Sequence, residues 1–79
     1  MRVVQKLPLK VGQRAIFLYN DRIRRVNIKR VWTDGNYQQY FLGKNDKGEF
    51  RIFNTEKMNY ILLNGKLFEV SQFATDNQE

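Results

Sequence analysis

The sequence contains no cysteine and no histidine. Without cysteine there can be neither a disulfide framework nor a thiolate metal site, and a reducing compartment is favoured. Without histidine, the usual general base and the commonest metal ligand are missing. Serine occurs once, at Ser71, with no imidazole to activate it. The eight acidic residues are scattered, with no close pair suited to acid–base work or to a carboxylate metal cluster. Neither a GxGxxG sequence nor a Walker phosphate loop is present. Catalysis and bound cofactors are therefore not expected. No apolar run exceeds five or so residues, where a membrane span needs roughly eighteen. The amino terminus carries bases but no apolar h-region, which argues against a secretory signal and for a cytoplasmic protein.

What the chain does have is positive charge, unevenly placed. Its 79 residues carry a net charge of +6. Residues 1–30 hold nine bases and only Asp21 as an acid, whereas residues 31–79 hold five bases and seven acids. Such asymmetry points to a polyanion or an acidic protein surface as partner, although charge also serves simple solubility.

The length fits one domain, expected over residues 1–70, with 71–79 a partly ordered tail. At its centre, Tyr37–Gly43 and Glu49–Phe53 are β-prone runs separated by a polar loop ending in Gly48, the pattern of a hairpin. Alternation places Tyr40 and Leu42 on one face and Phe41 on the other. It likewise separates Phe50 and Ile52 from Arg51 and Phe53. Met1–Lys10, with the single proline at Pro8, reads as an edge strand or an ordered lead-in. Arg14–Tyr19 is apolar at successive positions, the pattern of a short strand buried on both faces. Asn20-Asp21 turns the chain into Arg22–Trp32, where the broken alternation between Ile23 and Val26 predicts a bulge near Arg24-Arg25. Asp34-Gly35 and Asn64-Gly65 are further turn signals. Asn54 is placed to cap a short helical turn up to Met58, and Asn59–Leu63 and Lys66–Val70 read as strands. The whole predicts an all-β, five- to six-stranded antiparallel barrel, with one short helical turn near Asn54–Met58. Its expected core is Ile16, Leu18, Val26, Ile28, Leu42, Ile52, Ile61 and Leu63.

The succession Ile16-Phe17-Leu18-Tyr19, Arg24-Arg25-Val26-Asn27-Ile28, Gly35, Tyr40-Phe41-Leu42, Arg51-Ile52-Phe53 and Lys57-Met58 resembles the WYL domain. That family is an Sm-like small β-barrel named for a Trp-Tyr-Leu strand. Tyr40-Phe41-Leu42 stands where Trp-Tyr-Leu would be, and Arg51-x-Phe53 matches the Arg-x-Phe strand that follows it. The resemblance spans residues 14–63 or so. It implies a barrel of the Sm-like or Src-homology-3-like kind and a regulatory module that senses nucleic acid or nucleotide-type ligands through basic and aromatic side chains. The chain departs from the family in two ways: no helix-turn-helix is present, and the first two residues of the Trp-Tyr-Leu strand are changed.

Arg22, Arg24, Arg25, Lys29 and Arg30 form a basic strip. On an unbroken strand Arg22, Arg24 and Arg30 share one face, and Arg25 and Lys29 the other. Guanidinium groups bind phosphate bidentately and stack on bases, so the strip suits a nucleic acid, although a solvated strand face would look the same. Aromatic residues make up 14% of the chain; most must fill a small core, leaving Trp32, Tyr37 and Tyr40 as candidate stacking platforms. With Arg51 and Lys57 these residues make the predicted binding set. The reading is a non-enzymatic regulatory module for single-stranded nucleic acid or a nucleotide. The alternative is a phage- or defence-type adaptor or inhibitor, which docks an acidic partner surface or adds a strand to a partner's sheet.

Overall fold

The computed structural model of the chain describes residues 7–36 and 38–73. Six antiparallel strands form one sheet: β1 (Arg14–Tyr19), β2 (Arg22–Thr33), β3 (Gln39–Asn45), β4 (Phe50–Asn54), β5 (Tyr60–Leu63) and β6 (Lys66–Glu69). Their order is β4-β3-β2-β1-β5-β6. Among the described residues no helix is long and apolar enough to cross a membrane.

Local chemistry sets the turns. Asn20 and Asp21 join β1 to β2 with φ of 52° and 64°, and Asn64 and Gly65 join β5 to β6 with 51° and 84°. Paired positive φ angles twist a two-residue hairpin in the sense of its strands, and Asn, Asp and Gly tolerate them best. Two longer loops of one design bracket β3. Asp34 Oδ1 accepts the backbone N–H groups of Asn36 and Gln38 at 2.8 and 3.0 Å. Asn45 Oδ1 accepts those of Lys47 and Glu49, both at 2.9 Å. The predicted helical turn is a 3₁₀ turn, Thr55–Lys57, whose Asn54 side chain caps the Glu56 N–H at 2.9 Å. A second 3₁₀ turn, Val70–Phe73, follows β6.

The sheet coils strongly. Phe17 on β1 and Phe53 on β4 have ring centroids 4.8 Å apart, although three inter-strand steps separate their strands. In a flat sheet those steps would span about 14 Å. The enclosed face holds an edge-to-face cluster of Phe17, Tyr19, Phe41 and Phe53. Ala15, Val26, Ile28, Ile61, Leu63, Met58 and Val70 complete it, and the lead-in lays Leu7 and Leu9 across it. The hydrogen-bonded ladder is open, with β4 and β6 at its edges.

Three expectations change. Residues 14–19 are buried on one face, not both: Ala15, Phe17 and Tyr19 point inward, while Leu18 is 56% exposed. Of the expected core, Val26, Ile28, Ile61 and Leu63 are buried, but Ile16 and Leu42 are only half-buried, and Ile52 is 56% exposed. The two-residue turn at Asn20-Asp21 pairs Ala15 with Val26, so the inward direction of Val26 sends Phe17 inward and Leu18 out. Likewise Phe41 pairs with Phe53, and these larger rings take the interior that Leu42 and Ile52 were expected to fill. The bulge lies not at Arg24-Arg25 but at Lys29, where the register passes from Ile28–Gly43 to Arg30–Leu42. Of the two forms expected for Met1–Lys10, residues 7–10 take the lead-in, extended and without strand pairing. The part of the expected edge strand at Met1–Lys6, and the tail beyond Phe73, lie outside the described residues.

Candidate nucleic-acid interface

The bulge at Lys29 decides which bases meet. Before it, Arg22 and Arg24 alternate with Ile23 and Arg25, and Arg24 pairs with the inward residue Phe17. Arg22 and Arg24 therefore stand on the enclosed side of the sheet, and Arg25 on the outer side. After the bulge, Val31 pairs with the inward residue Phe41, and Arg30 and Trp32 pair with Leu42 and Tyr40. The extra residue thus moves Arg30 away from Arg22 and Arg24 and onto the outer face with Arg25.

Coiling brings β4 back over this end of β2. Between them lies a groove of about 510 Å³, lined by Arg22, Arg24, Arg25, Arg51, Phe50 and Phe53, among others. Its floor is Val26 and Gly43. A Cβ at Gly43 would lie 2.5 Å from Val26 Cγ2 and 3.3 Å from the Phe53 ring, so glycine lets β3 and Val26 close the floor. The Arg24 Nε–H donates to the Tyr19 carbonyl at 3.3 Å, which anchors the stem and leaves the fork of the guanidinium. The Arg51 guanidinium lies 6.0 Å from the Phe53 ring centroid, within cation–π range. Among the described residues no carboxylate pairs with Arg22, Arg24, Arg25 or Arg51; the ion pair Arg14–Asp46, at 3.2 Å, lies elsewhere. Glu49 also lines the groove, and its carboxylate accepts from Asn45 Nδ2 at 2.9 Å. Four arginines against one glutamate, with Arg25 bordering the groove from the outer side, leave this part of the surface strongly positive.

The rest of the predicted set is dispersed. Lys29 is exposed at the bulge and Lys57 on the 3₁₀ turn. Trp32 and Tyr40 stack on each other with centroids 5.9 Å apart and planes 8° from parallel, so the ring faces that meet are closed to a base. The Tyr40 hydroxyl lies 3.2 Å from both Asp34 Oδ2 and Gln38 Oε1, tying the ring to the turn. Burial first, then the hydrogen bond to the Asp34 carboxylate, raises the Tyr40 pKa above its ordinary value. The backbone N–H of Gln38 is the main cause of the lowered Asp34 pKa. Tyr37 falls outside the described residues.

Sequence reasoning passed over Phe50. Its ring is 59% exposed and lines the groove, with Lys44 Nζ 5.5 Å from its centroid. The signal was present: Phe50 lies on the opposite strand face from Phe53, and only one of two alternating rings can fill the interior. Among the described residues no group of three or more His, Cys, Asp or Glu side chains could hold a metal ion. Set against protein-family models, curated proteins and solved structures, the chain matches none.

Proposed function

We propose that the chain is a non-enzymatic binding module for single-stranded nucleic acid, which lays phosphates along Arg22, Arg24, Arg25 and Arg51 and stacks a base on Phe50. The observation that carries this reading is the convergence of arginines from two separate strands, β2 and β4, on one groove. A solvated strand face would give bases along one strand; it gives no reason for Arg51 to join them. Guanidinium forks suit phosphate oxygens, and exposed aromatic rings suit unpaired bases of any sequence. The barrel-like reading belongs here too. A sheet coiled until β1 meets β4 supports an Sm-like curvature, and the WYL resemblance supports a regulatory module of the cytoplasm.

Fluorescence anisotropy with mixed-sequence single-stranded DNA and RNA tests the reading. Each charge-assisted hydrogen bond is worth about 1.5–3 kcal/mol, so R24A/R51A lowers affinity more than tenfold for all sequences alike. Lys57→Ala, outside the groove, changes it little. Phe50→Ala costs about 1–3 kcal/mol if a base stacks there. Equal losses from R24A/R51A and Lys57→Ala would mean diffuse charge attraction, not a groove.

A further inference from the structure

Among the described residues that line the arginine groove, Glu49 is the acid. A carboxylate repels a phosphate backbone laid beside it, so a groove that only neutralised phosphates would do better with a neutral residue at this place. Nor is Glu49 there to pair with an arginine, for among the described residues no base makes an ion pair with it. Asn45, another lining residue, holds it at three points. The Asn45 N–H donates to the Glu49 carbonyl at 2.9 Å, Asn45 Oδ1 accepts the Glu49 N–H at 2.9 Å, and Asn45 Nδ2 donates to Glu49 Oε1 at 2.9 Å. Because Asn45 Oδ1 also accepts the Lys47 N–H, the amide nitrogen is the end left for the carboxylate. Glu49 Oε2 has no partner among the described residues. The groove thus contains a carboxylate that is held in place, only half used, and able only to accept.

On a single strand, the donors open to such a group are the amino and imino groups of the bases and, in RNA, the 2′-hydroxyl. The residue after Glu49 is Phe50, whose exposed ring lines the same groove, so the carboxylate stands next to the place where a base stacks. The bases differ in what they offer it. Guanine sets two donors side by side on its Watson–Crick edge, N1–H and N2–H, and these match the two oxygens of a carboxylate. Adenine and cytosine set an amino group beside a ring nitrogen that is an acceptor. Thymine and uracil set one N–H between two carbonyl oxygens, which a carboxylate repels. Building on the reading of the groove as a single-strand site, we propose that Glu49 makes the site prefer guanine. Its carboxylate accepts N1–H and N2–H of a base in the groove while the arginines hold the phosphates.

Anisotropy with DNA single strands of about 12 nucleotides tests this on the full chain. The strands are oligothymidine, the same strand with guanines interspersed, and that second strand with inosine in place of each guanine. Guanine should raise affinity about tenfold over thymine, as a bidentate base contact does. Inosine lacks the N2 amino group and should lose most of that gain. Glu49→Gln keeps an oxygen for Asn45 Nδ2, so its circular dichroism should match the wild type. It should bind the guanine strand and oligothymidine within about twofold of each other. It should also bind oligothymidine more tightly than the wild type does, because a repelling charge is gone. Equal binding of the three strands by the wild type, with a salt slope of about −3, would overturn the guanine preference and leave the groove reading standing. So would a preference that survives Glu49→Gln, a variant that weakens both strands equally, or an effect confined to RNA, which would assign Glu49 to the 2′-hydroxyl. No binding of any strand would overturn the groove reading and the preference together.

Discussion

The side-chain amide of Gln39 holds both backbone groups of Leu7. Gln39 Oε1 accepts the Leu7 N–H at 2.8 Å and Gln39 Nε2 donates to the Leu7 carbonyl at 3.0 Å. Gln39 is only 7% exposed, and Leu7 3%, so this glutamine gives the unpaired lead-in what a strand partner would otherwise supply. With Gln13, whose side-chain amide accepts the Lys10 N–H at 2.7 Å and donates to the Pro8 carbonyl at 3.0 Å, it ties the lead-in to the sheet.

Gln39→Leu should therefore leave the buried Leu7 N–H unsatisfied, at about 1–3 kcal/mol, while the Leu7 carbonyl keeps the Leu9 N–H at 2.8 Å. Water reaching the loosened lead-in would reduce the total. Urea denaturation should show a loss of about 1–3 kcal/mol. Hydrogen exchange at the Leu7 amide should accelerate more than exchange at the β2–β3 ladder. Equal acceleration everywhere would mean that Gln39 supports the whole core and not the lead-in.

Gly43 is a steric requirement of the groove floor. Gly43→Ala should cost about 1–3 kcal/mol, the usual range for overpacking, because its methyl would strike Val26 Cγ2. Val26→Ala removes the struck atom, so the double variant should be more stable than the two single losses predict. Thermal denaturation of the four proteins gives this coupling as a double-mutant cycle. Strict additivity would contradict the contact.

The Asp34 loop should contribute to the acid limit of the fold. Its carboxyl has a lowered pKa in the folded chain, chiefly through the Gln38 N–H. A depressed folded pKa means stability that is complete above the ordinary value of 3.8 and lost as the pH falls through the lower folded value. Asp34→Asn keeps an oxygen for the Asn36 and Gln38 amides but cannot titrate. Its stability should therefore fall less steeply than that of the wild type below that ordinary value. Parallel acid limbs would show that Asp34 does not contribute to the acid limit.

Much of this fold is legible in residue order. Asn20-Asp21 and Asn64-Gly65 mark their turns, and Asn54 marks the 3₁₀ turn. What failed was the choice of face in strands that are apolar on both. Ile16 and Leu18 compete with Ala15 and Phe17, and alternation cannot rank them; only pairing with a strand of clear polarity can. The Asn20-Asp21 turn fixes that pairing, since a two-residue loop sets Tyr19 opposite Arg22 and hence Ala15 opposite Val26. The bulge was misplaced because the Ile23–Val26 irregularity reflects an exposed isoleucine. Ile23 lies on the outer face beside Leu18, and the backbone there stays in register. Arg51 was named from its strand, but its meeting with Arg22 and Arg24 depends on sheet coiling, which no local pattern encodes.

The arginine groove is the central claim, and the salt dependence of binding reaches it most directly. Four phosphate contacts on a single strand give a log–log slope of about −3, and removing two contacts halves it. Anisotropy titrations over a range of salt should therefore give a slope near −3 for the wild type and about −1.5 for R24A/R51A. No binding by the wild type at about 100 mM salt, or an unchanged slope in the double variant, would contradict the account.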